Sequence, residues 1–255
     1  MIATIKKGDR EVKVDLSNPI DISLPLSSNA GAIAWYVDPV SIEPVMTERF
    51  TGSVKLGGSV NFRNIKFNPH GNGTHTECVG HISHEDYSIN QTLKNYFHWA
   101  RLVSVEPEIA DGSIEGTSEG DRIITANLLK KKLKGFDGNA LVLRTLPNES
   151  LKKNTNYSNS NPTYLTTDAI QAILDAGVDH FLLDLPSVDR EEDGGALAAH
   201  HLFWNYPSKP NLERTITELI FVPDEVKDGE YLLEIQFAPF ENDASPSRPV
   251  LYSFS

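Results

Sequence analysis

Cysteine is almost absent: Cys78 is the only one in 255 residues. A single thiol excludes an intrachain disulfide and suits a reducing compartment. Long apolar runs are missing too, and nothing approaches the ~20 consecutive apolar residues of a membrane-spanning helix. The first residues, Met1 to Asp9, carry no apolar stretch of the kind that directs secretion. Positive charge is scarce, with 23 Lys and Arg against 35 Asp and Glu and a net charge of −12. That balance argues against nucleic-acid and anionic-membrane partners, which require clustered cations. The one basic run, Lys130 to Lys134, reads as the solvated C-terminal end of a short helix. These absences predict a soluble, cytoplasmic globular protein.

What the chain does have is histidine in one place. Four of its eight histidines, His70, His75, His81 and His84, fall between Asn68 and His84, together with Glu77. If the backbone runs extended from His75, side chains two apart share a face, which sets His75 and Glu77 side by side. Imidazole with carboxylate is a donor set suited to zinc or manganese. Gly71, Gly73 and Gly80 let the backbone approach an ion closely. Isolated histidine pairs in loops mostly bind nothing, but this cluster with its glycines points to a metal.

Along the chain, Ala3–Lys6 and Glu11–Leu16 alternate about Gly8 and Asp9, predicting a hairpin. Short strands are expected at 19–25, 54–56 and 60–67, and the apolar spacing of 89, 93, 96, 97 and 100 predicts a helix over 89–100. A strand is expected at 102–105. Beyond it the pattern becomes helix 126–133, strand 140–145, helix 167–176 ending at Gly177, and strand 180–185. A loop at 186–195 leads to a helix carrying His200 and His201. Strands follow at 215–222 and 231–238, with a turn at 243–249 before a last strand at 250–254. The expected class is α/β (α+β): one domain over 1–255, with a mixed sheet and helices packed on it.

The segment Gly73-Thr-His-Thr-Glu77, followed by His81, resembles the Gly-Thr-His-x-Asp-x-Pro-x-His signature of the putative cyclase family. That family includes bacterial kynurenine formamidases and isatin hydrolases. The resemblance continues through Asp21-Ile-Ser, Asp184 to Asp189, the His200/His201 pair, Thr217-Glu-Leu219, Asp228 to Tyr231 and Asp243 to Arg248. It implies a compact β/β/α fold of the swivelling type, often dimeric, and a metal-dependent amidohydrolase with one or two zinc or manganese ions. The implied ligands are His70, His75, Glu77, His200 and Glu218, with His81 as proton shuttle. Because adjacent helix residues face about 100° apart, His200 and His201 are alternatives for that ligand, and His200 is favoured. The implied substrate is a formamide such as N-formylkynurenine or a related amide or lactam. The alternatives are a lactone- or isatin-type hydrolase and a metal-containing binding protein without turnover.

Three departures from the signature stand out. One extra residue separates His70 from the glycine, so a bulge must return its imidazole to the ion. Glu77 replaces aspartate and reaches one methylene further, and Val79 stands in place of proline. Other residues receive plainer readings. His84 and His98 are expected to be structural or to lie behind the ligands, and His180 to face solvent. Asp184 and Asp189 read as turn caps, with a hydrogen bond to a ligand imidazole as the other role. Trp35 and Trp204 read as core rather than substrate platforms. Gly116 to Gly120 matches a Gly-x-Ser-x-Gly elbow, but a polar acidic loop precedes it instead of a strand, so the match is chance. Cys78 as a nucleophile is disfavoured because the strand phase points it away from His75 and Glu77.

Overall fold

The computed structural model describes residues 1–255. A hairpin of β1 (Ile2–Lys7) and β2 (Arg10–Asp15) opens the chain, and β3 (Ile20–Asp21) follows. Four short strands, β4 (Ser41–Pro44), β5 (Met46–Thr47), β6 (Phe50–Thr51) and β7 (Arg63–Lys66), pair among themselves in an arm outside the main sheet. Next come β8 (His75–Glu77), the single-turn helix α1 (Ile89–Thr92), β9 (Phe97–Val105), β10 (Glu108–Ile109) and β11 (Arg122–Ile124). The second half runs α2 (Ala126–Leu133), β12 (Ala140–Thr145), β13 (Tyr164–Leu165), α3 (Thr167–Asp175), β14 (His180–Leu183) and α4 (Ala198–Trp204). It ends with β15 (Thr215–Glu218), β16 (Gly229–Phe237) and β17 (Ala244–Ser253).

The main sheet is ordered β16-β9-β12-β14-β15-β8-β17-β3, and an additional β16–β17 pairing closes its first seven strands into a barrel. Parallel pairings join β9, β12, β14 and β15, whereas β8 is antiparallel to both β15 and β17. Strand alternation sorts the side chains into two layers. Ala100, Leu102, Ala140, Val142, Leu182 and Leu233 belong to an inner cluster of 16 buried residues. Leu141, Leu143, Phe181, Leu183 and Ile216 join an outer cluster of 23, with Leu129, Ile170, Ile173 and Phe203 from α2, α3 and α4. The helices therefore cover one side of the barrel wall. In α2 the buried residues Ala126, Leu129 and Leu133 share one stripe, while Lys130, Lys131 and Lys132 lie in the last turn, favourable to the helix dipole. Gly177, at φ +79°, ends the α3 turn in the left-handed region.

Several expectations need correction. The helix over 89–100 shrinks to Ile89–Thr92, and nine residues from Phe97 form β9. Both faces of β9 are covered, so its apolar residues lose strict alternation and mimic helical spacing. Its pairing with β12 on one edge and β16 on the other decides the matter. Val54–Leu56 is a 3-10 turn closed by Gly57 at φ +91°, not a strand. The expected strand at 19–25 is reduced to two residues. The expected turn at 243–249 is the first part of β17, which accommodates Pro246 and Pro249.

His180 does not face solvent. It shares the interior phase of β14 with Leu182 and lies 3.8 Å, ring to ring, from His98 of β9. Burial pushes both imidazoles down, His98 to about 4 and His180 to about 3, with His98 adding repulsion on His180. Both folded values lie below the ordinary 6.5. The unfolded chain therefore takes up protons first as pH falls. The stability that the neutral pair contributes is complete above about 6.5 and is lost progressively toward about 3. Calorimetry from pH 7 to pH 5 is expected to show a falling Tm in the wild type and a shallower fall in His98→Gln. Parallel slopes in the two proteins would refute the assignment.

Candidate metal centre

The central signature residues His75, Thr76 and Glu77 form β8, which is fully buried. His75 and Glu77 leave the outer face of this strand, while Thr76 and Cys78 point inward. Thr76 Oγ1 meets Thr217 Oγ1 at 2.7 Å and Ser247 Oγ at 2.8 Å, and Cys78 packs in the inner cluster. Burial drives the Cys78 thiol up to about 11, so it stays protonated and is no nucleophile. In the antiparallel register Glu218 stands directly opposite His75, and Ile216 opposite Glu77. Helix α4 packs over this face and brings in His200. The site thus sits between the barrel wall and α4, near the C-terminal end of β15.

The donor atoms are close together. His75 Nε2 lies 3.3 Å from Glu218 Oε2, and His200 Nε2 lies 3.3 Å from Glu77 Oε1 and 4.0 Å from Glu218 Oε1. His70 Nδ1 is 3.0 Å from Glu77 Oε2, and His81 Nε2 is 3.9 Å from the same oxygen. Ligand bonds of about 2.0–2.2 Å place neighbouring donor atoms about 3–3.5 Å apart. Two groups each bring three donor atoms within 4.8 Å of one another, a little wider than a bound ion would draw them: His75–Glu77–Glu218 and His70–Glu77–His81, with Glu77 common to both.

The fit to a cation rests on what these atoms lack. His75 Nε2, Glu77 Oε1, His200 Nε2 and Glu218 Oε1 are all buried without a hydrogen-bond partner. Each such atom costs about 1–3 kcal/mol when left unsatisfied, and a divalent ion would satisfy all four together. The tautomers agree. His75 Nδ1 donates to the Gly73 carbonyl at 3.1 Å, a carbonyl aimed by the positive φ of Gly73, +69°. His200 Nδ1 donates to Asp189 Oδ2 at 2.6 Å. In both rings Nε2 is left with its lone pair toward the cage. Asp189 also accepts the Ala199 and His200 backbone N–H groups, so it orients the His200 ring and the start of α4 together.

The charges point the same way. Burial raises the Glu77 carboxyl, but His81, His200 and His70 outweigh it and hold the group well below its ordinary range. Glu218 is raised by burial and by the Glu77 charge beside it. Burial depresses His200, yet Asp189 and Glu77 win and lift it to about 10. A bound cation supplies the positive charge that the two glutamates otherwise take from protonated imidazole.

Every residue expected at the site is brought to it: His70, His75, Glu77, His81, His200 and Glu218. The extra residue after His70 is absorbed. Its ring reaches Glu77 on one side and Asp243 Oδ2, at 2.7 Å, on the other. Against burial, these two carboxylates raise His70 to about 10. Gly71 permits the approach, since a Cβ there would lie 2.5 Å from Val37 Cγ2. His201 turns away and bonds the Tyr206 carbonyl. Trp204 packs against His200 within the core, whereas Trp35 lines the cavity over the site. Asp184 is remote from the ligands, held by the Thr145 N–H and by Lys152.

Sequence reasoning assigned no role to Asp243, which contacts both His70 and His81, the latter at 3.5 Å. The Asp243 to Arg248 segment carried part of the resemblance, but nothing in the sequence joins it to residues some 170 positions earlier.

A cavity of about 380 Å³ opens above the cage, with Trp35, Val37 and Leu197 as apolar lining and His70, His81, His200 and Glu218 at its base. The sequence profile of the family described as "Putative cyclase" matches residues 14–190, so the chain belongs to the putative cyclase family. The kynurenine formamidase of Bacillus thuringiensis strain Al Hakam is 29% identical over 235 residues, covering 91% of this chain and 96% of the relative. Among solved structures, isatin hydrolase A from Labrenzia aggregata aligns with a TM-score of 0.66 at 12% identity, covering 93% of this chain and 94% of the other. A predicted metal-dependent hydrolase from Bacillus stearothermophilus aligns with a TM-score of 0.62 at 15% identity, covering 92% and 98%. Family membership and these relatives support a hydrolase, and the donor set supports a divalent metal within it.

Metal analysis is expected to find a divalent ion in the wild type and none in His75→Ala or Glu77→Ala. Asp189→Asn is expected to keep the fold and lose about 10- to 100-fold in metal affinity, read by chelator competition. Full occupancy in the Glu77 variant would remove the proposed cage.

Proposed function

We propose that the chain hydrolyses amide-type carbon–nitrogen bonds in small molecules, with N-formylkynurenine, or a related formamide or lactam, as substrate. For N-formylkynurenine the products are kynurenine and formate. The observation that carries this reading is the set of four partnerless donor atoms at the base of a cavity, with His81 beside them. The Bacillus relative's name supplies the formamide, and the Labrenzia neighbour's name supplies the lactam. The ion is zinc or manganese, one or two, on the chemistry of imidazole and carboxylate donors.

When bound, such an ion activates water and polarises a carbonyl. The residues divide the remaining work. His75 and His200 offer bare Nε2 atoms fixed by Gly73 and Asp189, and Glu77 and Glu218 supply negative charge. His81, with its side chain 29% exposed at the cavity edge, takes a proton from the attacking water and delivers it to the leaving nitrogen. Asp243 orients the His81 ring. Trp35 and Val37 form an apolar wall suited to an aryl group.

The whole chain acts as one domain in this reading, in a cytoplasm that keeps Cys78 reduced. It works as a homodimer. The arm between β4 and β7 supports the dimer, since Met46, Val54, Leu56, Val60, Phe62 and Ile65 are all exposed there. Sedimentation is expected to give a dimer that Phe62→Glu and Ile65→Glu together convert to monomer.

Formamide and lactam hydrolysis is expected to be metal-dependent, and His81→Asn to lower kcat by about 10²- to 10⁴-fold with the metal retained. Loss of the metal in that variant would recast His81 as a ligand. A flat panel in the metal-loaded wild type would favour a binding protein without turnover.

A further inference from the structure

Of the residues that line the cavity over the cage, Arg190 is the only lysine or arginine. It directly follows Asp189, the residue that holds His200, so backbone continuity couples its position to that of a ligand. Its guanidinium is fixed rather than free. Nε donates to Asp121 Oδ2 at 3.0 Å, and Nη1 donates to the Glu192 carbonyl at 2.5 Å. Asp121 is itself buried and gripped by Tyr164 Oη, Asn161 Nδ2 and the Ser118 N–H. Its charge is therefore shared among four donors, and it acts as a mount for Arg190.

A guanidinium has five N–H donors. Two are used here, which leaves one on Nη1 and both on Nη2. Neither nitrogen is a buried atom without a partner, and the side chain remains 25% exposed. The unused donors on Nη1 and Nη2 suffice to receive a carboxylate with two hydrogen bonds. The nearby acidic side chains do not compete for it. Glu191 accepts the Tyr36 hydroxyl and the Asn159 and Asn161 N–H groups, and Asp193 accepts the Gly195 and Leu197 N–H groups.

Trp35 belongs to the same cavity and is held in an uncommon conformation. Trp35 and Tyr36 have φ of 59° and 57°, a left-handed pair costing about 1–2 kcal/mol per residue. The pair is held by the Ser158 hydroxyl on the Tyr36 N–H and by Glu191 on the Tyr36 hydroxyl. The segment that bears Arg190 thus also fixes the apolar wall.

We propose that Arg190 sets substrate choice by anchoring a carboxylate, so that the site takes anionic aryl amides in preference to neutral ones. This rests on the hydrolase reading of the metal cage. It is tested with formanilide and its ortho-, meta- and para-carboxylated isomers, assayed on metal-loaded wild type, Arg190→Met and Arg190→Lys. Wild type is expected to favour at least one carboxylated isomer over formanilide in kcat/KM. Arg190→Met is expected to cut that preference by about 10- to 100-fold, through KM, as loss of a charge-assisted pair does. Arg190→Lys is expected to restore part of it. No preference in the wild type, or an equal loss on neutral and anionic substrates in Arg190→Met, overturns the proposal, since a merely structural role affects both alike. If wild type hydrolyses none of the four compounds, the hydrolase reading fails, and benzoate binding to the same proteins still decides the role of Arg190. Binding at least about tenfold weaker in Arg190→Met supports the anchor, and equal affinity removes it.

Discussion

The constraint on which the site depends is one fully buried carboxylate, Glu77, on β8, a barrel strand antiparallel to both of its neighbours. A lone carboxylate in that position is costly unless positive charge surrounds it. His70, His81 and His200 reach it from three different segments, and Glu218 stands close enough to raise the negative charge further. The fold can be understood as the scaffold that holds these mutually dependent groups together. β8 must be flanked by β15 for Glu218 to meet His75, and α4 must cover the wall for His200 to arrive.

Behind the ligands lies a second set of contacts that fix which nitrogen does what. The Gly73 carbonyl and Asp189 each accept an Nδ1–H, and Asp243 takes up His70 and approaches His81. None of these three is in the group of atoms left without partners. They set tautomer and ring orientation, so the fold itself fixes where the donor atoms stand.

How much of this was legible in the chain depends on distance along it. The histidine window and Glu77 were visible because their alternation is local, and α2, α3 and β12 because each has a clean stripe or a short apolar run. β9 was misread because burial on both faces removes the period that distinguishes strand from helix. His180 looked like a polar strand start, yet interior phase and the company of His98 bury it. Six site residues were named from motif resemblance, and the geometry unites them. Asp243 and Arg190 received no role because their contacts at the site are with residues distant in sequence. Arg190 near Asp121 and Asp243 near His70 are separated by 69 and 173 residues.

The closed ring of strands has a bearing on how the molecule matures. β8 occurs early in the chain, yet its two neighbours, β15 and β17, are synthesised much later. During translation the histidine window must wait, unpaired along both edges, until residues past 215 and then past 244 have emerged. The proposed metal cage can therefore be completed only at the end of folding, because Glu218 and His200 arrive only with the second half. A nascent chain halted before β15 carries the signature but has no cage in which to use it.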